Sequence, residues 1–122
     1  MNDRIRTVLI VDDDPQILRL VEKMLRQRNV NVLSAPRPTE ALLICQREPV
    51  DLLISDVLMP EMDGNKLAER VLKLHPEASI LLISGHYKDP PPVAKSSQVR
   101  FLKKPFFPSQ LLQFLHELLP DV

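Results

Sequence analysis

At 122 residues the chain has room for one domain with a layered core, so a single domain over residues 1–122 is expected. Apolar residues at 44% argue against disorder, and 16 basic side chains cancel 16 acidic ones, which excludes the electrostatic footprint of a nucleic-acid binder or a polybasic membrane binder. With neither a run approaching the ~18 apolar residues of a membrane span nor a secretory signal, the expected compartment is the cytoplasm and the expected partner a protein or a small ion. The single Cys45 cannot close an internal disulfide, in keeping with a reducing compartment.

Thr7 to Val11 is a continuous apolar, β-branched run too short for a buried helix, and it leads into Asp12-Asp13-Asp14-Pro15. This is the first strand, with carboxylates at its C-terminal end. Pro15 suits the first turn of a helix and Asp14 its cap; Ile17, Leu18, Leu20, Val21, Met24 and Leu25 then repeat with helical spacing, and Asn29 is placed to end that helix in a left-handed conformation. Val30 to Leu33 makes a short second strand. A helix opening at Pro38 or Thr39 turns Ala41, Leu42, Ile44 and Cys45 inward until Pro49.

The third strand, Asp51 to Ser55, delivers Asp56, and Pro60 and Gly64 mark the turn beyond it. Asp56 thus stands at the strand's C-terminal edge, as a turn cap or as a nucleophile or metal ligand. Gly64 to His75 reads as a helix with Leu67, Ala68, Val71 and Leu72 on one face, and His75 as a solvated residue favoured by the helix dipole. Ser79 to Ile83 is the fourth strand, ending at Ser84-Gly85. The stretch from His86 to Ser97, with Pro90-Pro91-Pro92, specifies at most a turn or two of helix. Val99 to Leu102 is the fifth strand, and Pro108-Ser109 opens a last helix carrying Leu111, Phe114, Leu115 and Leu118 inward. Such alternation predicts an α/β fold: a doubly wound, five-stranded parallel sheet with right-handed crossovers and a shortened or irregular fourth helix.

The strand ends carry Asp12 and Asp13, then Asp56, Ser84 and Lys104. Carboxylates gathered in one cleft repel unless a hard divalent cation with oxygen ligands joins them, and Mg2+ or Mn2+ fits that description. A lysine there offers a point charge, and a serine hydroxyl a hydrogen bond, to an anionic group. Together these describe a carboxylate that accepts a phosphoryl group.

Four blocks in order, Val8-Leu9-Ile10-Val11-Asp12-Asp13-Asp14, Ile54 through Gly64, Leu82-Ile83-Ser84-Gly85 and Phe101-Leu102-Lys103-Lys104-Pro105-Phe106, make the chain resemble the receiver domain of bacterial response regulators, the phosphoacceptor half of two-component signalling. The resemblance covers Thr7 to about Leu119 and implies the flavodoxin-like strand order 2-1-3-4-5. It implies that Asp56 is the phosphoacceptor and that Asp12, Asp13, Asp56 and the Leu58 carbonyl hold the metal. Ser84 would hydrogen-bond the phosphoryl group, Lys104 would pair with it, and Phe101 would be the aromatic switch that follows Ser84. Lys104-Pro105 would be a cis peptide. Leu58 and His86 would flank the approach of a hydrolytic water.

The implied partners are a histidine kinase or histidine phosphotransfer protein upstream and an effector or fused output domain downstream; separately, the wide apolar arc of the last helix, from Phe114 round to Leu112, makes it the expected surface for a partner or a homodimer unless the sheet buries it. No direct contact with nucleic acid or membrane is expected of the domain. It would not be an enzyme in the ordinary sense, since it catalyses only its own phosphorylation and dephosphorylation. Two departures stand out: Ser84 replaces the commoner threonine, and the segment between Ser84 and Lys104 is short, proline-rich and without the customary Gly-Ala. The second supports a pseudo-receiver, a phosphorylation-independent interaction module; the complete acidic, hydroxyl and lysine set supports a working one. An aspartate-nucleophile phosphatase would carry Asp-x-Asp, but Leu58 stands two residues after Asp56, and no glycine-rich nucleotide loop occurs.

Overall fold

The computed structural model describes residues 4–85 and 98–120; the irregular crossover expected between His86 and Ser97 lies outside them. The elements are β1 (Arg6–Val11), α1 (Pro15–Arg26), β2 (Val30–Ala35), α2 (Pro38–Arg47), β3 (Leu52–Asp56), α3 (Gly64–Leu74), β4 (Ser79–Ser84), β5 (Val99–Lys103) and α4 (Pro108–Leu118). All five strands pair in parallel in the order β2-β1-β3-β4-β5. That is the expected flavodoxin-like order.

The central strands are buried on both faces, which is why they read as unbroken apolar runs rather than alternations. On one face Leu9, Val11, Leu53, Ile80 and Leu82 meet Ala41 and Cys45 of α2 and Leu67, Ala68 and Val71 of α3. On the other, Val8, Ile10, Leu52, Ile54, Leu81 and Ile83 meet Val21 and Leu25 of α1 and Leu111 and Leu115 of α4. Phe114 and Leu118 of α4 also pack against this second cluster, so the helix's wide apolar arc is spent on the sheet. No helix among the described residues is long and apolar enough to cross a membrane.

One rung crosses the whole sheet through Ala35, Val11, Ser55, Leu82 and Phe101. The next residues on the paired strands β1 and β3 are Asp12 and Asp56, so register alone brings these carboxylates side by side at the C-terminal edge.

Three local expectations are corrected. Asn29 is not left-handed, because among the described non-glycine residues only Glu61 has a positive φ; α1 instead ends with the Arg28 N–H donating to the Leu25 carbonyl at 2.9 Å. His75 is not a solvated residue, since it is half-buried and its Nε2 lies 2.7 Å from the Cys45 carbonyl, tying α3 to α2. Leu20 points outward at 44% exposure, toward the edge that holds the carboxylates.

Candidate functional site

The β1 strand ends by burying the Asp12 side chain, while the next residue, Asp13, stays exposed. The Asp14 N–H donates to Asp12 Oδ1 at 2.8 Å, and the Asp14 carboxylate accepts the Gln16 N–H at 2.9 Å, capping α1. Asp14 is thus occupied in starting a helix. Carboxylate oxygens of Asp12, Asp13 and Asp56 all lie within 4.8 Å of one another, a cluster capable of coordinating a metal ion.

Burial pushes the Asp12 carboxyl up to about 6 from 3.8; the Asp14 N–H and the Lys104 charge pull it down, while the charges of Asp56 and Asp13 push it further up. Lys104 reaches both the buried Asp12 and the partly buried Asp56, with Nζ at 3.5 Å from Asp56 Oδ2 and 3.7 Å from Asp12 Oδ2. Among the described residues, three carboxylates against one ammonium leave two formal negative charges, which a divalent cation would balance.

Backbone bonds continue past the strand ends and fix these side chains. The Val57 N–H donates to the Ile83 carbonyl at 3.0 Å, and the Lys104 N–H to the Ser84 carbonyl at 3.0 Å. Lys104–Pro105 is cis, as the resemblance implied. The loop from Val57 to Asp63 closes where the Gly64 N–H meets the Val57 carbonyl at 2.7 Å, and Asp63 caps α3 by accepting the Lys66 N–H at 2.9 Å. Inside it, the Met62 N–H bonds the Pro60 carbonyl at 2.8 Å around Glu61, whose φ is +75°, and Thr39 of α2 donates to the Glu61 carboxylate at 3.2 Å.

A cavity of about 590 Å3 opens beside Asp56 and Lys104, with Leu58 and Gly85 also on its wall. Its apolar side is made by Ile17 and Leu20 of α1 and by Pro105 and Phe106. In the sequence Ile17 and Leu20 belong to a helical apolar repeat, and nothing marks Pro105 or Phe106 as cavity wall. Helical spacing cannot distinguish a residue turned to the sheet from one at the rim of its edge.

Ser84 is fully buried at the last position of β4. It shares the strand parity of Ile80 and Leu82, which lie in the same cluster that Phe101 packs against, so Ser84 and Phe101 are on one face of the sheet. Asp56 and Lys104 share the parity of Ile54 and Leu102, which lie in the other cluster. The site is therefore assembled over the sheet's edge, with acids and lysine from one side and hydroxyl from the other.

The Response regulator receiver domain profile matches residues 8–116. The transcriptional regulatory protein GlrR of Escherichia coli K12 is 36% identical over 114 residues, covering 92% of this chain and 26% of that protein. The sensor kinase CckA of Brucella abortus is 34% identical over 117 residues, covering 93% of this chain and 12% of that protein. This chain therefore spans a minor part of each. Among solved structures, the signal receiver domain of an HD domain-containing protein from Pseudomonas fluorescens superposes with a TM-score of 0.85 at 28% identity, covering 99% of this chain and 91% of that one. The chemotaxis response regulator CheY4 of Vibrio cholerae does so with a TM-score of 0.82 at 31% identity, covering 95% and 100%. With the strand order, the paired acids and the lysine already in place, these matches make the chain a member of the response regulator receiver domain family, the phosphoacceptor modules of two-component signalling.

Proposed function

We propose that Asp56 is the residue of this single domain that takes the phosphoryl group, and that a histidine kinase or histidine phosphotransfer protein donates it. An Asp56 carboxylate oxygen attacks the phosphorus and a P–O bond forms. The P–N bond of the donor's phosphohistidine breaks, and the imidazole leaves with the electron pair and takes up a proton. The observation that carries this reading is the position of Lys104 Nζ between Asp56 and Asp12, at 3.5 and 3.7 Å. Its ammonium offsets the charge of a phosphoryl group arriving at Asp56.

Asp12 and Asp13, with Asp56 and the Leu58 carbonyl, are the residues that would hold Mg2+ or Mn2+. Such a cation, when bound, neutralises the carboxylates and the phosphoryl oxygens. Ser84 then donates its hydroxyl to a phosphoryl oxygen, and Phe101, on the same face of the sheet, follows it inward. That movement changes the surface presented to an effector or a fused output domain. Relatives described as transcriptional regulatory proteins and as sensor kinases support both kinds of context.

Intact mass after treatment with acetyl phosphate and Mg2+ tests the assignment. One added phosphoryl group is expected in the wild type and none in Asp56→Asn. Label that survives Asp56→Asn at full level, or that forms undiminished in chelator, would overturn it. A wild type that takes no label while folding normally would instead make the domain a pseudo-receiver.

A further inference from the structure

Ser55 carries a fully buried hydroxyl to which the transfer assigns no task. Its neighbours along the rung, Ala35, Val11, Leu82 and Phe101, are all apolar. An alanine there would spare the cost of taking a hydroxyl out of water, so packing alone does not account for serine. The hydroxyl is used instead on the main chain. Ser55 Oγ donates to the Asp56 carbonyl at 2.9 Å and lies 4.0 Å from Met59 Sδ.

The peptide unit that follows Asp56 is thereby held at both of its polar atoms. Its carbonyl accepts from Ser55, and its N–H, that of Val57, donates to the Ile83 carbonyl at 3.0 Å. The next carbonyl, of Val57, is taken by the Gly64 N–H at 2.7 Å. Rotation of the Asp56–Val57 peptide would swing the Asp56 carboxylate on one side and the Leu58 carbonyl on the other, and phosphoryl transfer is sensitive to displacements of that size.

We infer that Ser55 is a positioning residue for phosphoryl transfer: by fixing the Asp56–Val57 peptide, it aims the accepting carboxylate and the Leu58 carbonyl at the same point. The inference rests on the assignment of Asp56 as phosphoacceptor.

The test compares wild type, Ser55→Ala, Asp56→Asn and Val50→Ala, the last a buried change two residues before β3 begins that lowers stability without touching the C-terminal edge. Three quantities are read: the rate of labelling by acetyl phosphate at saturating Mg2+, the Mg2+ dissociation constant by calorimetry without any phosphodonor, and amide exchange at Val57, Leu58 and Met59 by NMR. Ser55→Ala is expected to label about five-fold more slowly, the scale of one lost neutral hydrogen bond. It should bind Mg2+ several-fold more weakly and exchange those amides faster. Val50→Ala should match wild type in all three, and Ser55→Cys, with a weak donor of similar size, should fall between wild type and Ser55→Ala. Wild-type rate and Mg2+ affinity in Ser55→Ala, or equal slowing in Val50→Ala, would overturn the inference while leaving the assignment of Asp56 intact. A wild type without label, or undiminished label in Asp56→Asn, overturns that assignment and the role of Ser55 with it.

Discussion

The start of α3 rests directly on the peptide after Asp56: a Cβ added to Gly64 would stand 2.9 Å from the Cα of Val57, and closer still to the Asp56 carbonyl oxygen. Both obstacles are backbone, which cannot turn aside as a side chain can. In an ordinary first helical turn alanine would be the better residue by up to about 1 kcal/mol. Here Gly64→Ala should instead lower stability by about 1–3 kcal/mol, the usual cost of overpacking. It should also slow phosphorylation, since the helix can be relieved only by moving the loop that carries Leu58. Thermal unfolding and acetyl phosphate labelling check this, and an unchanged or raised melting temperature would contradict it.

Lys104 is the cation drawn to the paired acids, and it is partly open to solvent while Asp12 is almost wholly enclosed. Lys104→Met should slow labelling by about ten-fold, less than the ~10²–10³ lost with an enclosed oxyanion donor, because water reaches this site. The fold should survive, since the methionine keeps the aliphatic stem beside Gly85. Removing Asp13 should act differently, weakening Mg2+ binding so that labelling recovers at high Mg2+. Equal recovery by Mg2+ in both variants would mean that Lys104 acts only through the metal site.

The positions of these groups were largely legible in the sequence, because each lies where an apolar run stops. Asp12 follows, and Asp56 and Ser84 end, strands buried on both faces, and a parallel sheet allows such ends to converge on only one edge. The environment beyond the strand ends was not legible. Leu20 sits in a helical apolar repeat and nevertheless faces the cavity, and His75 looks like an exposed helix end but binds the Cys45 carbonyl across a helix pair. The close approach of Gly64 and the bond from Ser55 also depend on which backbone atoms come within about 3 Å, something residue spacing does not encode.

Far from the cleft, Asp51 ties down the start of the chain. Its carboxylate accepts from Arg4 and from the Thr7 N–H at 2.7 Å, with Arg6 at 3.6 Å. Burial would raise the Asp51 carboxyl, but the bonds from Arg4 and Thr7 and the charges of Arg4 and Arg6 outweigh it and hold the group below its ordinary 3.8. A carboxyl depressed in the folded state stabilises fully above its unfolded value of about 3.9, and the benefit is lost as pH falls through the folded value. Asp51→Asn should therefore cost about 1 kcal/mol near neutral pH, a modest figure because Arg4 is half exposed to solvent. The gap between variant and wild type should close below about pH 4. Urea unfolding across that range decides it; a gap that widens on acidification would show that Asp51 is not held in its ionised form.

The lifetime of the phosphorylated state should be set largely by Leu58. Hydrolysis needs a water held in line with the phosphorus, and holding one takes a hydrogen-bonding side chain close to Asp56. Leu58 lines the cavity together with Asp56 and Lys104, and its side chain is 47% exposed. It neither donates nor accepts, so its bulk should screen the phosphoryl group without orienting water. Leu58→Asn should speed decay by roughly ten-fold, measured in Mg2+ after the donor is removed. Leu58→Ala separates the two effects: it opens the path but provides no hydrogen bond, so its decay should lie nearer to wild type than to Leu58→Asn. His86, the other residue named for this task, should matter little, and His86→Ala should leave the decay within about two-fold of wild type. If Leu58→Asn has no effect and His86→Ala slows decay strongly, the water is held by the histidine and the screening role of Leu58 is wrong.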